Sequence, residues 1–170
     1  TVQASALLVF VTPFSWGLVG LWAASHFLRA IGLTLAFHRY YAHRAFQMHR
    51  VARFAWTFVG VAAMQKGPLW WAGHHVYHHK FADREGDPHS PRIYGLKKVV
   101  LEGAELYRAS ARDEETIEKY AKGTPNDWLE NNLYHHPVRS YYGITALVIA
   151  DLVLFGVPGI IMIAFQLVNM

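Results

Sequence analysis

Apolar residues are concentrated at the two ends of the chain, and charged residues are concentrated in its middle. Residues 1–37 and 141–170 are almost uncharged, whereas residues 80–130 carry most of the acids and bases. Soluble domains mix these residue types along the chain, but membrane proteins separate them into spanning and polar segments. The pattern predicts an all-α integral membrane protein, in which a helical transmembrane bundle carries a cytosolic helical cap.

The apolar segments predict how residues 1–170, one partial domain, are divided into membrane-spanning and cytosolic segments. Residues 14–37 would form a helix about 36 Å long, which exceeds the roughly 30 Å of hydrocarbon in a bilayer. Pro13 breaks the chain before this helix, and Ser15 is a candidate N-cap. The predicted segments are the end of a first spanning helix at 1–11, a second at 14–37, a cytosolic section at 38–140, a third spanning helix at 141–155 and the start of a fourth at 160–170.

A basic run directly after the 14–37 segment predicts the orientation of the chain in the membrane. It contains four arginines, Arg39, Arg44, Arg50 and Arg53. Cytoplasmic loops carry an excess of Lys and Arg, so this run is expected on the cytoplasmic side of the lipid bilayer. Residues 54–64 are apolar but too few to span, which predicts a helix at the membrane interface. Gly156-Val157-Pro158-Gly159 predicts a compact turn between the last two apolar segments.

Histidine is over-represented in the composition and cysteine is absent. The 170 residues include 11 His and no Cys, with a net charge of +4. Without Cys there are no disulfides, no thiolate metal sites and no iron–sulfur clusters. Nothing in the charge pattern supports binding to nucleic acid.

The histidines form two groups with spacings that suit metal binding. His75, His78 and His79 lie at i, i+3 and i+4, which places all three imidazoles on one face of a helix. His38 and His43 are five positions apart, roughly 140° on an ideal α-helix. We therefore expect this pair to straddle a helix end, a geometry suited to ligands of different metals. Imidazole binds Zn, Fe, Cu and Ni, and five histidines exceed the needs of one tetrahedral ion.

Three further polar positions stand out beside these groups. Asp87 and His89 follow the second group and are candidates for orienting the ligating imidazoles, although Asp87 before a proline also fits an ordinary turn residue. Arg29 and Asp151 are charged residues inside predicted spanning helices. Charges at such depth face protein or a polar cavity rather than lipid.

Two segments resemble the first two histidine boxes of the membrane fatty acyl desaturases. Residues 27–46 read FLRAIGLTLAFHRYYAHRAF, and residues 65–79 read QKGPLWWAGHHVYHH. The likeness is strongest over residues 27–91 and is greatest to the bacterial relatives of stearoyl-CoA desaturase. The spacing HX4H in the first box, rather than HX3H, favours the delta-9 acyl type.

The resemblance implies an O2-dependent oxidoreductase with a histidine-ligated di-iron centre. Such enzymes introduce a cis double bond into a fatty acyl chain, carried as acyl-CoA or acyl-lipid, with electrons from a donor such as ferredoxin or cytochrome b5. By position, Gln65 and Trp71 match residues that shape the bend of the acyl tunnel. The matched iron ligands are His38, His43, His75, His78 and His79.

One departure from the family pattern limits this interpretation. The third histidine box of the family, HX2HH, does not occur after His136. We therefore expect a truncated and inactive fragment of a desaturase. Two alternatives remain open: a lipid hydroxylase or other di-iron lipid oxidase, and a non-catalytic membrane protein that binds a metal such as zinc through its histidines.

Overall fold

A computed structural model describes residues 7–13, 15–110, 112–136 and 138–168, and these residues form helices without any strand. The predicted all-helical class is therefore confirmed for the described part of the chain. Residues 1–6 of the predicted first span and residues 169–170 of the predicted fourth lie outside it. The α-helices are α1 Trp16–Ile31, α2 Arg50–Val61, α3 Pro68–Phe81, α4 Pro91–Tyr94, α5 Leu96–Ser110, α6 Glu114–Tyr120, α7 Tyr142–Phe155 and α8 Val157–Val168. There are also two π-helices, Gly32–Ala42 and Glu130–Tyr134, and two 3-10 helices, Leu7–Val11 and Arg139–Tyr141.

Helix α1 begins directly after the predicted N-cap, and together with the first π-helix it extends beyond the predicted end at residue 37. The side chain of Ser15 accepts the N–H of Leu18 at 3.4 Å, so the predicted N-cap is confirmed. The helix continues through the first π-helix, and the combined element Trp16–Ala42 has 27 residues with a mean hydropathy of 1.4. Among the residues that the structure describes, it is the one helix long and apolar enough to cross a membrane.

Helices α7 and α8 form a hairpin with a single residue between them. Gly156 has φ of 62°, a left-handed conformation that reverses the chain and suits glycine. The expected four-residue turn was too long, because Pro158 has a fixed φ that suits the first turn of a helix. The two helices pack tightly, since a Cβ on Gly159 would clash with the carbonyl oxygen of Asp151. At 14 residues α7 is about 21 Å long, so the predicted third span stays a prediction.

The core surrounds the first π-helix. Its buried members come from that helix, from α2, from α3 and from the second π-helix, namely Ala36, Phe37, Tyr41, Val61, Ala72 and Tyr134. Helix α2 approaches the first π-helix closely, because a Cβ on Gly32 would lie 2.7 Å from the backbone nitrogen of Gly60. The hydroxyl of Tyr41 also bonds that of Thr57 at 3.0 Å. This packing holds the segment with the first histidine group against the helix with the second.

Candidate metal centre

Four histidine side chains from two elements converge at one point. His38 and His43 belong to the first π-helix and its C-cap, and His75 and His79 belong to α3. The Nε2 atoms of His38 and His43 are 3.1 Å apart, those of His43 and His75 3.3 Å, and those of His75 and His79 2.9 Å. All four ligand nitrogens lie within 4.8 Å of one another. We call this set the four-histidine cluster.

The π-helix explains how two histidines five positions apart come together. The N–H of His43 donates to the carbonyl of His38, five residues earlier, at 3.0 Å. This i→i−5 bond adds one residue to the helical turn and returns the fifth residue to the same side. The pair straddles the end of this helix as expected, because His43 is its C-cap. The wider turn nevertheless brings both rings to one place, and the expectation that they serve different metals stays a prediction. The two rings meet edge to face, with centroids 4.5 Å apart.

The spacing of the nitrogens fits ligands of one metal ion. Two ligands about 2.1 Å from a common metal lie about 3.0 to 3.4 Å apart, for right-angled and tetrahedral arrangements respectively. The three separations given above, 2.9 to 3.3 Å, lie within or next to this interval. Imidazole nitrogen is a good donor for Fe, Zn, Cu and Ni, so the donor set suits a transition metal.

The surroundings keep the imidazoles of His75 and His79 neutral at physiological pH. Burial, together with the neighbouring His79, His38 and His43, lowers the pKa of His75 to about 3. Burial and the neighbouring His43 and His78 also lower the pKa of His79. A neutral imidazole has a free lone pair for a metal, whereas a protonated one has none. The indole of Trp71 stacks on the ring of His75 at 4.6 Å between centroids and limits its rotation.

His78 belongs to a second group, formed with Asp87 and His89. Its Nδ1 lies 2.9 Å from Oδ1 of Asp87, and its ring stacks on that of His89 at 4.3 Å between centroids. The ligand atoms of these three residues also lie within 4.8 Å of one another, close enough for a metal ion. The second group adjoins the first, because the ring centroids of His78 and His79 are 5.7 Å apart.

Asp87 is completely buried, and both oxygens of its carboxylate accept hydrogen bonds. Besides His78, its carboxylate accepts the backbone N–H of Asp83 at 2.9 Å and that of His89 at 3.1 Å. Burial alone would raise the pKa of Asp87, but the bonds from His78, Asp83 and His89 outweigh it and lower the pKa. Asp87 therefore organises its loop and is hydrogen-bonded to His78. The assignment of these residues as metal ligands or orienting groups stays a prediction.

Gln65 and Trp71 lie beside the four-histidine cluster. Trp71 donates from Nε1 to Oε1 of Gln65 at 3.1 Å, and its ring contacts that of Phe37 at 5.8 Å between centroids. Sequence reasoning missed Tyr107, whose hydroxyl donates to the carbonyl of Gln65 at 2.6 Å. The one signal in the sequence is that Tyr107 lies on the apolar stripe of α5, which also contains Leu96. The predicted tunnel residues are thus hydrogen-bonded to each other, and Trp71 contacts the cluster.

Two of the four arginines on the basic run have structural partners. Arg53 forms an ion pair with Asp127, and Arg44 donates to the carbonyl of Lys122. Both contacts join the segment after the first box to the loop before the second π-helix.

Comparison with known proteins identifies relatives for about half of the chain. No family model and no solved structure matches it. The chain is 35% identical to an acyl-CoA 5-desaturase of Anemone leveillei over 88 residues, 50% of the chain and 27% of the relative. It is 36% identical to delta-9 acyl-lipid desaturase 2 of Arabidopsis thaliana over 94 residues, 54% of the chain and 30% of the relative. It is 37% identical to an sn-1 stearoyl-lipid 9-desaturase of Anabaena variabilis over 90 residues, 52% of the chain and 33% of the relative.

These matches confirm the resemblance that the histidine boxes predicted. They cover between 19% and 33% of the length of the curated relatives. Over about half its length, the chain is homologous to the acyl-CoA and acyl-lipid desaturases, a family of fatty acyl desaturases.

Proposed function

We propose that this chain carries part of the di-iron centre of a membrane fatty acyl desaturase. The observation that carries the proposal is the convergence of four imidazole nitrogens within 4.8 Å, in a chain whose relatives are named desaturases. The reaction is the insertion of a cis double bond into an acyl chain, with the delta-9 type favoured by the HX4H spacing. The substrate is an acyl-CoA or an acyl-lipid, since the relatives include both kinds by name.

The residues divide the metal binding between the two groups. His38, His43, His75 and His79 would hold one ion, while His78, oriented by Asp87, would serve a second. When bound, the iron pair supplies the activation of O2 that removes two hydrogens from adjacent, unactivated carbons. Overall, one O2, two electrons and two protons are consumed, and two water molecules form. Ferredoxin or cytochrome b5 is the proposed class of electron donor.

The protein's own part is to position the acyl chain and to exclude water. Trp71 and Gln65 form the wall next to His75, with Phe37 behind the indole. A rigid wall of this kind would bend a flexible chain and set which bond meets the cluster. On the side of His75, the apolar surface of Trp71 and Phe37 would also keep water from the oxidant.

The proposed location is an integral membrane position with both boxes on the cytoplasmic side. The support is the apolar helix Trp16–Ala42, which carries His38 near its C-terminal end, and the basic residues that follow it. An acyl chain entering from the bilayer would then reach the cluster along this helix.

Iron retention tests the metal assignment. The chain, purified in detergent and loaded with Fe²⁺ under anaerobic conditions, should retain iron after dialysis, as measured by elemental analysis. His75→Ala should abolish retention, and His135→Ala, an exposed histidine outside both groups, should not. Retention of zinc but not of iron would favour the non-catalytic metal-binding protein, and retention of neither metal would contradict the metal site itself.

Product analysis separates desaturation from hydroxylation. Cells that express this chain alone should accumulate no new product, since it carries only part of the ligand set. Cells that express it within a longer protein that contains a third histidine box should accumulate an unsaturated acyl chain, identified by mass spectrometry of the extracted lipids. A hydroxylated acyl chain in its place would assign the protein to the lipid hydroxylases.

A further inference from the structure

The helix that carries His75 and His79 begins without a cap of its own. The N-cap of α3 is Gly67, which has no side chain to accept a hydrogen bond, and the first helical residue is Pro68. Proline has no N–H, so the first backbone donor of the helix that needs an acceptor is that of Leu69. This helix start is buried, since Pro68 is among the fully buried residues.

Glu130 supplies the missing acceptor from a distant part of the chain. Its carboxylate accepts the backbone N–H of Leu69, and the residue is only 2% exposed. Gly67 allows this approach, because a Cβ there would lie 3.2 Å from Oε1 of Glu130 and 3.2 Å from the carbonyl oxygen of Tyr134. A carboxylate at a helix N-terminus also complements the positive end of the helix dipole.

Glu130 is itself fixed by its neighbours. Oδ1 of Asp127 accepts the N–H of Leu129 at 3.0 Å and that of Glu130 at 3.2 Å. Asp127 is in turn paired with Arg53 of α2. The start of the second π-helix is therefore held against α2, and the carboxylate of Glu130 has a defined position.

The same carboxylate lies close to the segment of the first histidine box. Tyr41 of the first π-helix and Tyr134 of the second are both within its electrostatic range. Both tyrosines belong to the core that packs around the first π-helix. Glu130 thus joins the start of α3 to the packing that positions His38 and His43.

We propose that Glu130 is a positioning residue for the four-histidine cluster. By capping α3 from outside, it sets the axial position of that helix, and so the point at which His75 and His79 meet His38 and His43. Leu69 and His75 are six residues apart, which places the cap about 9 Å along the helix axis from the first of these ligands. The inference rests on the proposed function only in treating the cluster as a metal site.

Cobalt binding tests this role without any need for enzyme activity. The detergent-purified chain is titrated with Co²⁺ alone, and binding is followed by the visible absorption of the bound ion. Glu130→Ala should weaken Co²⁺ binding by about 10- to 100-fold, the usual effect of losing a group that holds metal ligands in place. Glu130→Gln should restore affinity close to that of the unmodified chain, because the amide oxygen accepts the same N–H. Glu102→Ala, on the exposed first half of α5, is the matched control.

The rate of hydrogen exchange at the backbone amide of Leu69 reports directly on its hydrogen bond to Glu130. Exchange should accelerate in Glu130→Ala and stay slow in Glu130→Gln.

The proposal is overturned if folded Glu130→Ala binds Co²⁺ as tightly as the unmodified chain, or if Glu130→Gln loses as much affinity as Glu130→Ala. If Glu130→Ala does not fold, Glu130→Asp replaces it, with a carboxylate too short to cap fully and an intermediate loss expected. An unmodified chain that binds no Co²⁺ contradicts the proposed metal site, while the exchange rates still decide the cap.

Discussion

Asp87 and Asp151 are both completely buried, yet their surroundings differ in kind. Asp87 lies in a loop and accepts hydrogen bonds from one imidazole and two backbone N–H groups. Asp151 lies inside α7, and neither of its carboxylate oxygens has a hydrogen-bond partner among the described residues. In a loop the backbone offers free N–H groups, whereas in a helix those groups already bond the preceding turn. A carboxylate in a helix must therefore depend on other helices.

Asp151 has its counter-charge on α1. Arg29 interacts electrostatically with Asp151, and it is itself buried. Arg29 donates to Oε1 of Gln166 on α8, which also accepts from Ser25 at 3.1 Å. These contacts identify the partners that the sequence left open for Arg29 and Asp151. The comparison shows one carboxylate stabilised locally, by residues within nine positions, and one that relies on a charge 122 positions away.

Removal of Asp151 should give the largest effect. Asp151→Leu leaves Arg29 as an uncompensated buried charge, which costs about 3 to 5 kcal/mol of unfolding free energy. The double variant Arg29→Met with Asp151→Leu should recover most of that loss, because an apolar pair replaces the charged one. Denaturant unfolding in detergent micelles measures the unfolding free energies of the unmodified chain, of both single variants and of the double variant. Additive losses in the double variant would mean that the two residues are not coupled.

The carboxylate of Glu130 combines features of the two aspartates, and its contribution to the free energy of unfolding depends on pH. One of its oxygens accepts from Leu69, while Oε1 has no partner among the described residues. Burial raises the pKa of Glu130 from 4.5 to about 7. The folded state therefore favours the protonated form, and its stability falls as pH rises from about 4.5 through 7, by about 3 kcal/mol from this group. Unfolding measured from pH 4.5 to 8 should show this loss, and Glu130→Gln should remove that part of the slope.

Asp87→Asn should cost less than the loss of Asp151, because Asn keeps a hydrogen-bonding side chain at this position and no buried arginine loses its counter-charge. The amide oxygen can still accept a backbone N–H, but its NH2 group cannot accept one. We expect a loss of about 1 to 3 kcal/mol in unfolding free energy. Co²⁺ affinity should also fall if His78 binds metal. An unchanged stability would show that the loop, and not the carboxylate, orients His78.

Ser25→Ala should have the smallest effect. It removes one donor to Gln166, while Arg29 continues to donate to the same oxygen. A loss of about 0.5 to 1.5 kcal/mol is expected in the same unfolding assay, the usual net value of one hydrogen bond. A loss as large as that of Asp151→Leu would contradict the view that charge, and not hydrogen bonding alone, dominates this region.

Features that depend on neighbours in sequence were predictable, and features that depend on packing were not. The Ser15 cap, the helix that carries the second box and the pairing of Asp87 with His78 all involve residues at most nine positions apart. The first π-helix was not predicted, because periodicity assumes an α-helix and this segment is shaped by contacts with α2. Glu130 was not singled out either, since its acceptor role involves Leu69, 61 positions earlier.

The π-helix links the spacing of the first box to the pitch of the backbone. In an α-helix, side chains four positions apart face the same way, which is the separation in HX3H. Here the histidines are five positions apart, and a wider turn compensates for the one extra residue. An insertion or deletion between His38 and His43 can thus leave the two imidazoles together, provided that the helix changes type with it. Alignments that treat the gap between the two histidines as rigid will misplace one of them.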